Sequence, residues 1–457
     1  MDATTERLVE FAFRPEFSAL SADTTHACKQ HVIDTIASAL GAYDEPLSRM
    51  ARTIARRYAG TPEAGVWGSS LRTSAEAAAF ANGVMLRYLD LSDTYLSKSR
   101  GHPSDMTSGI LAVADHLGAD GRSACGAITL AYDVYCSFMD AIDINSKGWD
   151  QPVYSVLGCV LGVGRLMKLT REQMANAVAL ALAPNMALTQ TRRGDLSSWK
   201  GCAGANASRN AVFAAMLARE GFTGPTAVFE GEGGLWDVVG RFEWPLPAIP
   251  AAPHMIGQTH IKRLPVCYHG QSAVEAALEL RARVTLPDID AINVAAYRTA
   301  VHMMGNDPSR WAPATRETAD HSLPYVVAVA LLDGKVTAQS FASERLTDPA
   351  VAALMKKITV TEDAELSAQY PQSSASRLHM RLISGASLTH EVRHPKGHAM
   401  NPLTDAEIEA KFRDLFAPCG NAAQCETALE ALRNFDRAKD VRRDVLERLA
   451  LRPASDA

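Results

Sequence analysis

Paired cysteines are missing from this chain. Its eight cysteines, Cys28, Cys125, Cys136, Cys159, Cys202, Cys267, Cys419 and Cys425, stand singly, and none belongs to a C-x-x-C pair. That spacing argues against an iron–sulfur centre and leaves buried, reduced thiols as the plain reading. No window reaches about 18 uninterrupted apolar residues, so no membrane-spanning helix and no membrane partner are expected. Residues 1–13 lack a basic stretch followed by a long apolar one, so no secretion signal is read there and a cytoplasmic location is expected. A surplus of basic charge is also missing. The net charge is -5, which gives nucleic acid no general field to follow. The zinc-protease, nucleophile-elbow and phosphate-loop motifs are absent. His394 and His398 have the separation of a helical metal pair, but Pro395 and Gly397 between them break a helix, so a surface loop is expected there. Neither a metal nor a nucleotide cofactor is therefore expected.

What is present is apolar residue in bulk. Hydrophobic residues make up 47% of 457, enough for two or three domains with large cores. The first 280 residues read as successive helices. Ile33, Ile36, Ala37 and Leu40 recur at helical spacing and Gly41 stops the run. Ile110, Val113, Ala114 and Leu117 form a second stripe. Thr73 with Glu76, Thr170 with Gln173 and Thr404 with Glu407 have capping-box spacing. Gly158, Gly162 and Gly164 in an apolar run predict close contact between helices and are too irregular for a dinucleotide loop. Four prolines from Pro245 to Pro253 predict an extended connection. After about residue 285 the period changes to two. Ile292, Val294 and Ala296, Ile358 and Val360, and Leu378 to Val392 around Ser384-Gly385 predict strands, with a helix over 323–332 between them. From Thr404 the pattern is helical again to Val441, Val445 and Leu449. The expected fold is mainly α: a large all-helical domain formed by both chain ends plus a smaller inserted α+β domain. Residues 1–267 and 401–457 are assigned to the former and 268–400 to the latter.

The densest polar stretch runs from Asp90 through Asp93, Thr94 and Tyr95 to Gly101-His102-Pro103-Ser104-Asp105. Pro103 suits a first helical position, and Ser104 or Asp105 has the chemistry to satisfy early amides. His102 then sits at the positive end of a helix, which favours the neutral imidazole, able to accept a proton, and also favours a bound anion. Asp93 is placed to orient His102 or a substrate hydroxyl. Lys200 follows Arg192 and precedes the small residues Gly201 to Ala205. Lys262 leads through Pro265 into Tyr268-His269-Gly270-Gln271. Either lysine is suited to hold a carboxylate as a point charge, and neither would then add to the stability of the empty protein. For each residue taken alone, capping, a basic loop or a turn is the plainer reading; the same holds for Asp320-His321 as a helix cap.

Taken together, these stretches resemble the MmgE/PrpD family. They are His31 to Gly41, Asp90 to Asp105, Lys200 ahead of small residues, Lys262 to Glu275, Asp320-His-Ser-Leu-Pro-Tyr325, and Lys396-Gly397 with Asn401-Pro402. Each is weak alone; their order covers nearly the whole chain. The resemblance implies a homodimer, a site in the cleft between the domains, and cofactor-independent lyase chemistry on a small di- or tricarboxylate such as 2-methylcitrate. Such chemistry begins with proton loss from a carbon beside a carboxylate, so a placed base and concentrated positive charge are needed. His102, Asp93, Lys200, Lys262, Tyr268 and His269 are the implied catalytic set, with Thr94, Ser104, Gln151 and Arg192 as substrate contacts. Tyr268 and His269 would protonate a leaving hydroxyl. Gln151 departs from the family, whose members often carry histidine there; glutamine hydrogen-bonds but does not shuttle protons near neutral pH. Decarboxylation or epimerisation, as in other relatives, and an inactive helical scaffold are the alternatives.

Overall fold

The computed structural model describes residues 1–194 and 196–451. The chain is mainly α-helical and forms two compact units: Met1–Thr191 with Gly201–Thr259 and Thr404–Ala457, and Arg192–Lys200 with His260–Leu403. Lys262 and its neighbours from residue 260, assigned from sequence to the helical part, lie in the smaller unit.

The larger unit is helix packed on helix. At its centre Gly121–Ala141 lies along Pro152–Leu166. Every residue of the latter except Arg165 is buried, the mark of a helix enclosed on all sides. Gly158 makes that contact possible, since a Cβ there would meet the carbonyl oxygen of Ala131 at 2.6 Å. The carboxy-terminal return is built by Asp405–Phe416, whose Ile408, Phe412 and Phe416 are buried at intervals of four, and which packs on Ala22–Gly41. Lys411 ties the two helices by an ion pair to the buried Asp34 and a 3.0 Å hydrogen bond to the carbonyl of Leu91.

The capping boxes at Thr170 and Thr404 form as the spacing predicts. The one expected at Thr73 does not. Its hydroxyl donates instead to the carbonyl of Ala55 at 2.7 Å, the helix begins one residue later, and Glu63 caps the amide of Ala75 at 3.0 Å. A tertiary acceptor has displaced the local one. The pattern from Val441 to Leu449 is a short helix, Val441–Asp444, followed by a 3-10 turn, Leu446–Leu449, not one continuous helix. Pro245 to Pro253 contains no helix or strand.

The smaller unit has a four-stranded sheet of β1 (Ile289–Ala296), β2 (Ile358–Glu362), β3 (Ser376–Leu382) and β4 (Ser387–Val392) in the order β2-β1-β3-β4. β1 and β2 are parallel, and the other pairs are antiparallel. Two helices, Gln271–Arg281 and Leu323–Asp333, pack against the sheet and on each other. Ile292 and Val294 from β1 and Leu378 and Met380 from β3 join Val326 and Val329 in that core. Among the described residues, no helix is long and apolar enough to cross a membrane.

Candidate active site

In the larger unit the sequence Asp93 to Asp105 forms a hairpin-like loop. Tyr95–Leu96 pairs with Arg100–Gly101, and a 3-10 turn over Pro103–Met106 then runs into the helix Thr107–Leu117. The turn starts at Pro103 as the sequence predicts, but neither Ser104 nor Asp105 caps it. The amide of Asp105 returns to the carbonyl of His102 at 3.0 Å. The Ser104 amide donates to Oδ1 of Asp93 at 2.9 Å, while its own buried hydroxyl makes no hydrogen bond among the described residues.

His102 is half-buried and held at two points. Its ring Nδ1 lies 2.7 Å from the backbone carbonyl oxygen of Asp93 and 3.3 Å from Oγ1 of Thr94. A carbonyl only accepts, so Nδ1 carries the hydrogen and, in the neutral ring, the lone pair is on Nε2. Its backbone N–H donates to the hydroxyl of Tyr135 at 2.9 Å. Tyr135 in turn donates to Oε1 of Gln151. Nothing larger than glycine fits at Gly101, because a Cβ there would meet the Tyr135 hydroxyl at 2.0 Å.

Asp93 is fully buried, and its carboxylate is occupied within the protein. Oδ1 accepts from Ser104, Oδ2 accepts from Tyr132 at 2.7 Å, and Nδ1 of His31 is 3.2 Å from Oδ2. Burial alone would raise this carboxyl, but the contacts from His31 and Ser104 outweigh it and hold it below its ordinary value. The Asp93 carbonyl thus holds the His102 ring, while its carboxylate has contacts with Ser104, Tyr132 and His31. Gln151 is likewise committed. Oε1 receives Tyr135 and, at 3.3 Å, Ser155; Nε2 donates to Oδ2 of Asp105 at 2.8 Å. Its place is behind His102, reached through Tyr135. Asp105 also pairs with the buried Arg87, whose guanidinium reaches Asp90 at 3.3 Å as well.

The smaller unit has its own cluster. Lys200 is buried, and Nζ lies 3.2 Å and 3.4 Å from the two carboxylate oxygens of Asp320 and 3.3 Å from Nδ1 of His321. A buried carboxylate thus balances the charge of Lys200. The helix that Asp320-His321 approaches is capped by Ser322 and not by either of them; the Asp320 carboxylate instead joins His321 to Lys200. Burial lowers the basicity of His321 and the Lys200 charge lowers it further; the neighbouring Cys267 and Asp320 oppose both, and the net displacement is upward. Arg192 donates to the carbonyl of Lys200 at 3.0 Å, bracing the lysine's backbone.

Lys262 is almost wholly enclosed, 1% exposed. Gln271 pins the segment beside it with three bonds, taking the amide of Leu264 and donating to the carbonyls of Leu264 and Val266. His269 is buried with Nδ1 2.6 Å from the hydroxyl of Tyr297. Tyr268 stacks on His260 at 5.1 Å, and its buried hydroxyl makes no hydrogen bond among the described residues. Burial pushes this phenol above its ordinary value, so it stays protonated at any physiological pH. The surface-loop reading of His394 and His398 is corrected at His398, which is buried and stacks on His260 at 4.2 Å. Burial, helped by His394, lowers its basicity to about 4.

Sequence reasoning missed Tyr132, Tyr135 and Tyr297, which lie in apolar helical or strand stretches and look like core. It gave His31 no individual role and read Asp320 as a helix cap, whereas their partners, Asp93 and Lys200, lie 62 and 120 positions away.

Comparison with known proteins adds to this geometry. The model of the MmgE/PrpD N-terminal domain matches residues 6–244, and that of the MmgE/PrpD C-terminal domain matches residues 264–437. The chain is 30% identical over 456 residues to 2-methylcitrate dehydratase of Cupriavidus necator, covering 93% of each chain. It is 28% identical over 422 residues to 2-methylcitrate dehydratase of Escherichia coli (strain K12), covering 86% of this chain and 85% of the other. It is also 28% identical over 376 residues to the alkylcitrate dehydratase phiI of a fungal species, covering 76% and 74%.

Proposed function

Because the chain belongs to the MmgE/PrpD family, we propose that it is a hydro-lyase that dehydrates a small tricarboxylate of the 2-methylcitrate kind. The observation that carries the reading is the hold on His102. With Nδ1 donating to the Asp93 carbonyl, Nε2 is the basic nitrogen of a half-buried histidine. In the proposed reaction Nε2 takes the proton from a carbon beside a carboxylate. The C–H electron pair becomes the new C=C bond, the C–O bond at the neighbouring carbon breaks, and the hydroxyl leaves as water after receiving a proton.

Lys200 and Lys262 are assigned to the substrate carboxylates, where a point charge stabilises the negative charge that builds up next to the reacting carbon. Lys200 is pre-oriented by Asp320 and Arg192. Tyr268 or His269 is assigned the proton for the leaving hydroxyl; the raised phenol of Tyr268 keeps that proton available. Thr94 and Ser104 are assigned substrate contacts, and the buried Ser104 hydroxyl, which makes no hydrogen bond among the described residues, supports this. The enzyme is taken to act as a cytoplasmic homodimer without a metal or nucleotide, since the lysines supply the positive charge the reaction needs. Light scattering and assays in chelator test these two parts.

The reading is tested by incubating the protein with 2-methylcitrate and following the ultraviolet absorbance of the unsaturated acid. Release of carbon dioxide from cis-aconitate, or exchange of the α-proton with inversion and no alkene, would assign the chain a different reaction.

A further inference from the structure

Tyr268 has no hydrogen bond to set the angle of its phenol. Its buried hydroxyl makes none among the described residues, and its ring contact is with His260, at 5.1 Å between centroids and 25° between planes. His260 also stacks on His398, at 4.2 Å and 18°. All three rings are buried. The orientation of Tyr268 therefore depends on what holds His260.

Two consecutive backbone amides hold the two imidazoles. The N–H of Ala399 donates to Nδ1 of His260, and that of Met400 donates to Nδ1 of His398, each at 3.0 Å. A backbone amide only donates, so both Nδ1 atoms bring a lone pair and both rings are neutral with the hydrogen on Nε2. The loop that supplies these amides is closed on itself. The Gly397 N–H reaches the carbonyl of Asn401 at 2.9 Å, the Asn401 N–H reaches that of His398 at 2.7 Å, and the Asn401 side chain donates to the carbonyl of His394 at 3.0 Å. The same loop lies against the residues ahead of Lys262. The Ile261 N–H donates to the Gly397 carbonyl at 3.0 Å. Gly397 has a φ of +96°, and a Cβ there would meet the Ile261 carbonyl oxygen at 1.9 Å, so only glycine allows this approach. Lys396 anchors the loop from its other side, its amide donating at 2.9 Å to Glu275 on Gln271–Arg281. His260 and Ile261 are thus each tied to the loop, and Lys262 is the next residue.

We propose that His260 is a positioning residue for two groups at once: its ring face sets the angle of the Tyr268 phenol, and its Nδ1, tied to the loop of residues 394–401, holds the backbone that carries Lys262. The inference rests on the assignment of Lys262 to a substrate carboxylate, and it takes Tyr268 as the proton donor to the leaving hydroxyl. The two halves of the role use different parts of the side chain, the ring face for Tyr268 and the Nδ1 lone pair for the loop.

The test uses the full chain with 15N-labelled histidine. At pH 7.5, His260 and His398 should each show a bare Nδ1 and a protonated Nε2. A hydrogen on Nδ1 of His260 would overturn the proposal without any variant. Two variants then separate the halves of the role. His260→Asn keeps an acceptor for the Ala399 amide and removes the ring; kcat on 2-methylcitrate should fall by about tenfold or more with KM changed little. His260→Phe keeps a ring and removes the acceptor; KM should rise severalfold with kcat changed less. Lower stability with parental kcat and KM in both folded variants, or the same loss in both, would overturn the proposal. If neither folds, His398→Asn, which keeps the Met400 acceptor and removes only the ring stacked on His260, should lower kcat in the same direction, and parental kcat there counts against the proposal. Should the parent protein leave 2-methylcitrate untouched, the dehydratase reading fails and the positioning is decided by hydrogen exchange. The Ile261 amide should then exchange faster in His260→Phe than in His260→Asn, and equal exchange in the two would overturn the positioning as well.

Discussion

The backbone carbonyl of Asp93 lies 2.7 Å from Nδ1 of His102. A main-chain acceptor is a firm way to set a tautomer, because a carbonyl offers no hydrogen and no alternative protonation state near neutral pH. The carboxylate of the same residue is held by Ser104, Tyr132 and His31. One residue therefore joins a buried polar network to the proposed base.

His102→Asn should remove turnover by a factor on the order of a hundred or more, the usual worth of a general base, while leaving the melting temperature near that of the parent. The side chain caps no helix, so its loss has little structural cost. Thermal melts and assays on the same preparation check this. An unfolded variant, or one with parental turnover, contradicts the role.

Lys200→Met should lower stability as well as activity. It strands the buried Asp320 carboxylate, and breaking a buried pair from one side costs about 3–5 kcal/mol. Adding Asp320→Asn should restore much of the stability and none of the activity. Urea unfolding of the two variants measures this. Parental stability in Lys200→Met would mean that the pair is not formed in solution.

Gln151→Leu should cost about 1–3 kcal/mol, because the Tyr135 hydroxyl and the Asp105 carboxylate each lose a buried partner. Turnover should fall with it, since Tyr135 holds the amide of His102. Substrate affinity should change less than kcat. A selective loss of affinity would instead show that Gln151 touches the substrate.

His398 gives a pH signature. Its folded value is about 4 against 6.5 unfolded, so the unfolded chain takes up the proton first as pH falls. Stability is complete above pH 6.5 and declines toward pH 4, by about 3 kcal/mol at most from this one group, at 1.36 kcal/mol per unit. His398→Leu should flatten the difference in urea midpoint between pH 7.5 and pH 4.5. An equal slope in the variant would show that His398 is not the group responsible.

Much of the fold was legible because its signals are local. The stripes at Ile33 to Leu40 and Ile110 to Leu117, the boxes at Thr170 and Thr404, and the alternation at Ile292 and Val294 each depend on neighbours within a turn or a strand. The site was legible only as residue types in order. His102 stands out because it lies in the densest polar stretch beside Pro103, and Lys200 and Lys262 because a lysine next to small residues or a turn is suited to hold a carboxylate. Their partners do not, since Tyr135, Tyr132 and Asp320 become partners only through contacts across 33, 39 and 120 positions. Thr73 failed as a cap for the same reason: the carbonyl of Ala55, invisible to a local rule, took its hydroxyl.

The most direct measurement is proton NMR of 2-methylcitrate incubated with the parent protein and with His102→Asn. The account predicts new unsaturated-acid signals and loss of the substrate hydroxy acid with the parent protein, and neither with the variant. An unchanged substrate spectrum with the folded parent protein, or alkene formed at the same rate by His102→Asn, would contradict it.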